Sequence, residues 1–285
     1  MKTDLIKNIS DTALWIAAYR AQETARTDAA FRDPLARRLA GERGAAMVAA
    51  TPNTNMMALA MTARTSAIDR LIHHALAKGV DTIINLGAGL DTRPYRMDLP
   101  PSVRWIEVDF PHLIAYKNEM LAGEKPVCQL RRIPADLSRS AERQALFQQL
   151  GAETQNALVI TEGVVVYLTS EQATSLAKSL HTIPSFSYWI MDYRQGSLRN
   201  NRYMRKLQKI VKNTPFRFTE KYPLQFFDRL GWTVNENVPM LDEARRLGRK
   251  LRFGFPVNIL SLLFPKTMRD LGNKAYGYVM LKRYA

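Results

Sequence analysis

A short β-branched run, Thr82-Ile83-Ile84-Asn85-Leu86, leads directly into Gly87-Ala88-Gly89-Leu90-Asp91. Two glycines there allow a tight turn and let a ligand approach backbone that carries no side chain. In doubly wound sheets a ligand binds outside the carboxyl ends of the strands, at the turn after the first. A pyrophosphate-binding turn adds a third glycine three residues after the second, beside a helix N-terminus. Here Asp91 follows Gly89-Leu90, with Thr92 and Arg93 next. A carboxylate repels a pyrophosphate and suits an amino group, which disfavours a nicotinamide-dependent dehydrogenase.

Acids recur along the following strands. The run Val103–Val108 ends in Asp109, 22 positions after Gly87. A carboxylate at the tip of a second strand can accept from both ribose hydroxyls of an adenosine. Glu107 lies on the same face one step earlier, and the end position favours Asp109. The third run closes on Pro134-Ala135-Asp136-Leu137, where Asp136 can accept from an adenine amino group. The fourth closes on Thr161-Glu162-Gly163, which sets Glu162 beside cofactor or substrate. One such acid reads as a helix cap; four in order beside a Gly-x-Gly turn point to a ligand.

The elements that must position these residues follow from periodicity. From Asp81 to Tyr193, apolar runs (82–86, 103–108, 130–133, 157–161 and 188–191) alternate with amphipathic stretches at 111–122, 140–150 and 170–181. That alternation predicts a parallel α/β sheet. Thr169 and Ser170 ahead of Glu171 and Gln172 make a capping arrangement. Asn53–Lys78 reads as one long helix, preceded by helical segments at 12–22 and from Pro34. Residues 194–272 read as mainly helical, broken by prolines, and Tyr276–Leu281 as a last strand. The expected layout is one domain over 1–285: N-terminal helices at 1–78, a cofactor-binding core at 79–193, a helical cap at 194–272 and a final strand at 273–285.

At these residues the sequence resembles the leucine carboxyl methyltransferase family, including bacterial relatives that O-methylate polyketide-type small molecules of secondary metabolism. The resemblance rests on Arg32-Asp33-Pro34, Ala63-Arg64-Thr65, Asn85-Leu86-Gly87-Ala88-Gly89-Leu90-Asp91-Thr92-Arg93, Glu107-Val108-Asp109-Phe110-Pro111, Ala135-Asp136-Leu137 and Glu162-Gly163-Val164-Val165-Val166-Tyr167-Leu168. It runs in order from about Thr12 to Tyr193 and fades beyond. It implies a class I, Rossmann-like fold with a mostly parallel seven-stranded sheet and a helical cap. It also implies S-adenosyl-L-methionine as cofactor and S-adenosyl-L-homocysteine as product. On that analogy Arg64 binds the methionine carboxylate, Gly87 with Ala88, Gly89 and Asp91 lines it, and Asp109 takes the ribose. Asp136 and Leu137 flank the adenine, Glu162 meets the amino-acid portion, and Phe110 is a further cofactor contact. Arg20 is the analogue of a basic residue from an N-terminal helix, and Tyr19, Tyr167 and Tyr193 are candidate pocket aromatics.

Composition narrows the rest. Net charge is +15 over 285 residues, and it is unevenly spread: residues 1–193 carry +1 and residues 194–285 carry +14. Such a field attracts an anionic metabolite or an acidic carrier protein. Arg199, Arg202, Arg205, Lys206 and Lys209, spaced three and four apart, would gather on one helix face near the entrance. A nucleic-acid methyltransferase is disfavoured, because Glu162-Gly163-Val164-Val165 stands where such enzymes carry a polar-Pro-Pro-aromatic loop. The alternative from a different class is a membrane-surface protein using the basic-apolar stretch 245–264. The single cysteine, Cys128, excludes an intrachain disulfide and a thiolate-built metal site, and no metal is expected. With no compact apolar leader and no apolar run of about 20 residues, a cytoplasmic protein is expected. No motif names a general base: His73, His74, His112 and His181 all fall in or beside helices. Catalysis would then rest on proximity and orientation.

Overall fold

The computed structural model describes residues 9–51, 54–195, 215–249 and 276–284. Helices α1 (Ile9–Thr24), α2 (Ala36–Ala49) and α3 (Thr54–Ala77) come first. Then β1 (Thr82–Leu86), α4 (Arg93–Arg96), β2 (Arg104–Asp109), α5 (Pro111–Met120) and β3 (Gln129–Pro134) follow in order. They continue with α6 (Ser140–Ala152), β4 (Ala157–Thr161), α7 (Ser170–His181) and β5 (Phe186–Arg194). Beyond these lie α8 (Pro223–Asp228), β6 (Trp232–Pro239), α9 (Met240–Arg246) and β7 (Tyr276–Arg283).

The strands form one seven-stranded sheet in the order β3-β2-β1-β4-β5-β7-β6. All pairings from β3 to β5 are parallel; β7 runs antiparallel to both β5 and β6. Burial on both faces explains why β1 and β4 read as near-continuous apolar runs: all five residues of each are buried. Period-2 alternation sorts their side chains. Ile83 and Leu158 pack with Ile68 and Leu71 of α3, whereas Ile84 and Val159 pack with Phe147 of α6 and Leu176 of α7. The chain winds outward from β1 to β3 and then returns to β4. The loops leaving β1 and β4 therefore part at a switch point, where such sheets open a crevice. The capping arrangement before α7 is a full capping box, with Thr169 accepting from Gln172 N and Gln172 accepting from Thr169 N.

One expectation needs correction. Residues 194–272 are not helical throughout, because β6 runs across Trp232–Pro239 and pairs with β7. It is an edge strand, with only Trp232 and Val238 buried and a register irregularity between Val234 and Glu236. Its polar Asn235-Glu236-Asn237 centre hides the strand signal. Arg199, Arg202, Arg205, Lys206 and Lys209 lie outside the described residues, as does most of 245–264. Within that stretch Arg249 is engaged by Glu23, at 2.7 Å, and by Asp28. Among the described residues no helix is long and apolar enough to cross a membrane.

Candidate functional site

At the carboxyl ends of β1 to β4 the loops enclose a cavity of about 670 Å³. Arg64, Gly87, Ala88, Gly89, Asp91, Asp109, Phe110, Asp136, Leu137 and Glu162 all line it, joined by Arg20 and Tyr167. Helix α1 covers one side through Thr12, Ala13 and Ile16. The covering thus begins at the N-terminus, where the sequence suggested it only by a loose resemblance. Two candidates fall elsewhere. Tyr19 is buried among Trp15, Leu39 and Met47 in the core between α1 and α2. Tyr193 is buried in the α6–α7 face of the sheet and donates to Asn237 Oδ1 at 2.9 Å. Both are core aromatics because they sit on the inward faces of their elements.

The glycine turn is built as its composition demands. Gly87 has φ +68° and Gly89 φ +52°, in the left-handed region that a side chain disfavours. A Cβ on Gly87 would stand 2.6 Å from Val164 Cγ2, so the turn and the β4 loop touch through that missing side chain. Gly87→Ala is expected to cost about 2–4 kcal/mol from backbone strain and overpacking, a midpoint drop of roughly 5–10 °C by thermal melting. Gly89→Ala, whose Cβ would stand 3.5 Å from Ala13 Cβ, carries the backbone part alone. A drop at Gly87 no greater than at Gly89 would refute the contact argument.

Asp109 closes the turn from the side. Its Oδ2 accepts from Gly89 N at 2.6 Å and its Oδ1 from Phe110 N at 2.7 Å. Each carboxylate oxygen has a second lone pair, so two acceptor positions remain for a ligand's hydroxyls. Burial pushes the Asp109 carboxyl above its usual range, against the backbone donors that favour ionisation. Asp136, at the end of the β3 loop, is more open; its Oδ1 accepts from Ser138 N at 3.0 Å. The Ser138 hydroxyl, and after it this backbone amide, hold its carboxyl below the usual range.

A buried charge network forms the remaining wall. Arg93 donates from Nε to Asp69 Oδ1 at 2.6 Å, and from Nη1 to Asp91 Oδ2 at 2.9 Å and Glu162 Oε2 at 2.8 Å. Glu162 Oε1 also lies 2.7 Å from Arg64 Nε, and Asp69 is held by Arg96. Three guanidiniums thus face three carboxylates. Burial opposes ionisation of Asp91 and Glu162, yet the neighbouring guanidiniums outweigh it and hold both carboxyls below their usual range. Asp91 is therefore tied up inside the wall, since its Oδ2 also accepts from Asn85 Nδ2 at 2.8 Å. Asn85 lines the cavity and is buried, its nitrogen turned to Asp91 and its Oδ1 without a hydrogen-bond partner among the described residues. Arg20 faces the cavity too, but its Nε holds Asp33 at 2.8 Å and its Nη2 the Leu90 carbonyl at 2.5 Å. It clamps α1 to the glycine turn.

Asn85, Arg93 and Asp69 are the site residues that sequence reasoning passed over. Arg93 stood within a matched string, but its partners lie 24 and 69 residues away on other elements, and spacing along the chain does not reveal them.

A family model described as leucine carboxyl methyltransferase matches residues 13–181. A protein of Frankia alni, provisionally named an S-adenosyl-L-methionine-dependent methyltransferase, is 34% identical over 175 residues, 58% of this chain and 61% of its own length. One of Streptomyces coelicolor, named likewise, is 34% identical over 172 residues, 56% of this chain and 60% of its own length. The chain thus spans about three fifths of the length of these relatives. In three dimensions it resembles a DUF574 family protein from Streptomyces avermitilis with a TM-score of 0.59 at 17% identity, over 94% of this chain and 96% of that one.

Proposed function

The chain belongs to the leucine carboxyl methyltransferase family, and from that premise we propose that it moves a methyl group from S-adenosyl-L-methionine to an oxygen of a small anionic metabolite. The observation that carries the reading is the Asp109 carboxylate, fastened to the glycine turn with acceptor positions to spare, in one cavity with Asn85, Arg64 and Glu162. The donor set fits the cofactor end to end. Asp109 would hold the ribose hydroxyls and Asp136 the adenine amino group, with Phe110 and Leu137 beside the base. Arg64 suits the carboxylate of the methionine portion, and the unpartnered Asn85 Oδ1 suits its ammonium. When bound, the cofactor supplies an electrophilic methyl on a positively charged sulfur.

The residues of this chain then bind, align and keep out water. Holding an acceptor oxygen in line with the methyl is worth up to about 7–11 kcal/mol. Among the described residues lining the cavity there is no histidine, lysine or cysteine. Tyr167 stays protonated at neutral pH because burial pushes its phenol up, so it can donate a hydrogen bond but not remove a proton. These features favour an acceptor that arrives ionised, a carboxylate ahead of a neutral hydroxyl. The +14 of residues 194–285 suits an anionic metabolite, free or held on an acidic carrier protein.

Isothermal titration with S-adenosylmethionine, S-adenosylhomocysteine and NAD tests the cofactor. Micromolar binding of both adenosyl ligands and none of NAD is expected, with Arg64→Ala weakening both about tenfold through loss of a charged hydrogen bond. Folded protein that binds neither ends the proposal. Methyl-labelled cofactor offered with a panel of carboxylic acids and phenols then reads the acceptor; label in a base-labile ester marks a carboxylate.

A further inference from the structure

One buried cation in the cavity is left over from everything described above. Arg143, on α6, is nine-tenths buried and lines the cavity. Its Nη1 donates to the Leu137 carbonyl at 2.9 Å and its Nη2 to Ser175 Oγ at 2.8 Å, both neutral acceptors. Among the described residues its Nε has no partner and no carboxylate pairs with it. Burying a guanidinium without a counter-charge is costly, and burial alone lowers its pKa with no acid to raise it again. Other buried cations among the described residues are compensated: Arg64, Arg93, Arg96 and Lys117 each have a carboxylate within 2.8 Å.

The ground around Arg143 suits a negative charge. It lies in the first turn of α6, a 13-residue helix whose N-terminus has no side-chain cap. The amides of that first turn lack intrahelical acceptors, and the helix dipole favours an anion there. Ser138, Ser140 and Ser175 are exposed and also line the cavity, so the spot is reached from solvent and rimmed by hydroxyl donors. The two nearby acids are already answered: Asp136 lies 3.8 Å from Arg139, and Glu171 feels Arg217.

We propose that Arg143, with Ser140, Ser175 and the N-terminus of α6, forms a subsite for a phosphate or carboxylate group carried by the methyl acceptor. The cofactor is not its natural occupant, because the cofactor is itself a net cation and brings no counter-charge to an unpaired guanidinium. A second, anionic molecule restores neutrality. That the anion arrives on the acceptor rests on the methyltransferase reading; the preference of the pocket for an anion does not.

Inorganic phosphate is the probe, titrated into the full chain with and without saturating S-adenosylhomocysteine and followed by tryptophan fluorescence or calorimetry. Wild-type protein is expected to bind phosphate, with Arg143→Gln weakening it about tenfold or more and Arg143→Lys by less. Arg139→Gln, at an exposed neighbouring position, should change it less than twofold. S-adenosylhomocysteine should bind Arg143→Gln within about threefold of wild type, which also reports that the variant is folded. Phosphate affinity unchanged in Arg143→Gln would overturn the subsite, and so would phosphate excluded by S-adenosylhomocysteine, which would put the anion in the cofactor's place. A wild-type protein that binds phosphate through Arg143 but no adenosyl ligand would leave the subsite standing and bring down the function instead.

Discussion

Asp109→Ala is expected to weaken S-adenosylhomocysteine binding at least a hundredfold, measured by isothermal titration calorimetry. The carboxylate acts twice. It fixes the glycine turn by accepting from Gly89 N and Phe110 N, and on the proposed reading its remaining lone pairs would take the ribose hydroxyls. Hydrogen bonds to a charged group are worth about 1.5–3 kcal/mol each; two lost ribose contacts exceed the roughly 2.7 kcal/mol that a hundredfold represents. The turn relaxes as well, because two amides lose their acceptor. Asp109→Asn is not conservative here. The two oxygens each accept a backbone N–H, so an amide nitrogen at either position confronts a donor, and a loss of about tenfold or more is expected. The sign with pH follows from burial, which raises this carboxyl. As pH falls it protonates before an ordinary aspartate would, and affinity should decline already in mild acid while staying flat near neutrality. Affinity within threefold of wild type in Asp109→Ala would separate this residue from the cofactor.

Much of that arrangement was legible in the sequence because the central strands obey one rule. β1 and β4 are buried on both faces and so read as near-continuous apolar runs, and along β2 to β4 the acid at the close of each run marks its carboxyl end. Asp109, Asp136 and Glu162 were found that way, and all line the cavity. The rule fails at the sheet's edge. Only two positions of β6 are buried, so its Asn235-Glu236-Asn237 centre carries no strand signal. It fails again for groups whose meaning depends on a partner. Asp91 reads as a ligand until Arg93 and Asn85 are seen to engage its oxygens. Tyr19 and Tyr193 read as pocket aromatics until the face each presents is known. Arg143 has no distinguishing local pattern; its interest lies in having no counter-ion among the described residues, which only three dimensions disclose.

Arg93→Leu is expected to destabilise the protein by about 3–5 kcal/mol, the usual consequence of removing one partner from a buried ionic network. The midpoint of thermal unfolding should fall by on the order of 10 °C at pH 7. With Arg93 gone, Asp69, Asp91 and Glu162 face only Arg64 and Arg96, and the wall carries an uncompensated negative charge. Arg93→Lys should recover only part of the loss, because one ammonium cannot reach the three acids that the fork joins from Nε and Nη1. In the wild type the Asp91 and Glu162 carboxyls sit below their unfolded values. They contribute stability above the unfolded pKa near 4, and that contribution is lost as pH falls through the lower folded values. In Arg93→Leu the balance turns, since burial without its guanidinium raises both carboxyls. The variant then regains stability as pH falls from 7 towards 5, where the wild type changes little through these groups. The gap between the two proteins should therefore be widest at neutral pH and narrow by pH 5; a gap that holds or widens would mean that the loss is one of packing alone. Neutrality of the wall also bears on function. On the proposed reading, a methionine end carrying both an ammonium and a carboxylate adds no net charge to a wall already balanced, so Arg64 and Asn85 would receive it without reorganising the charges behind them.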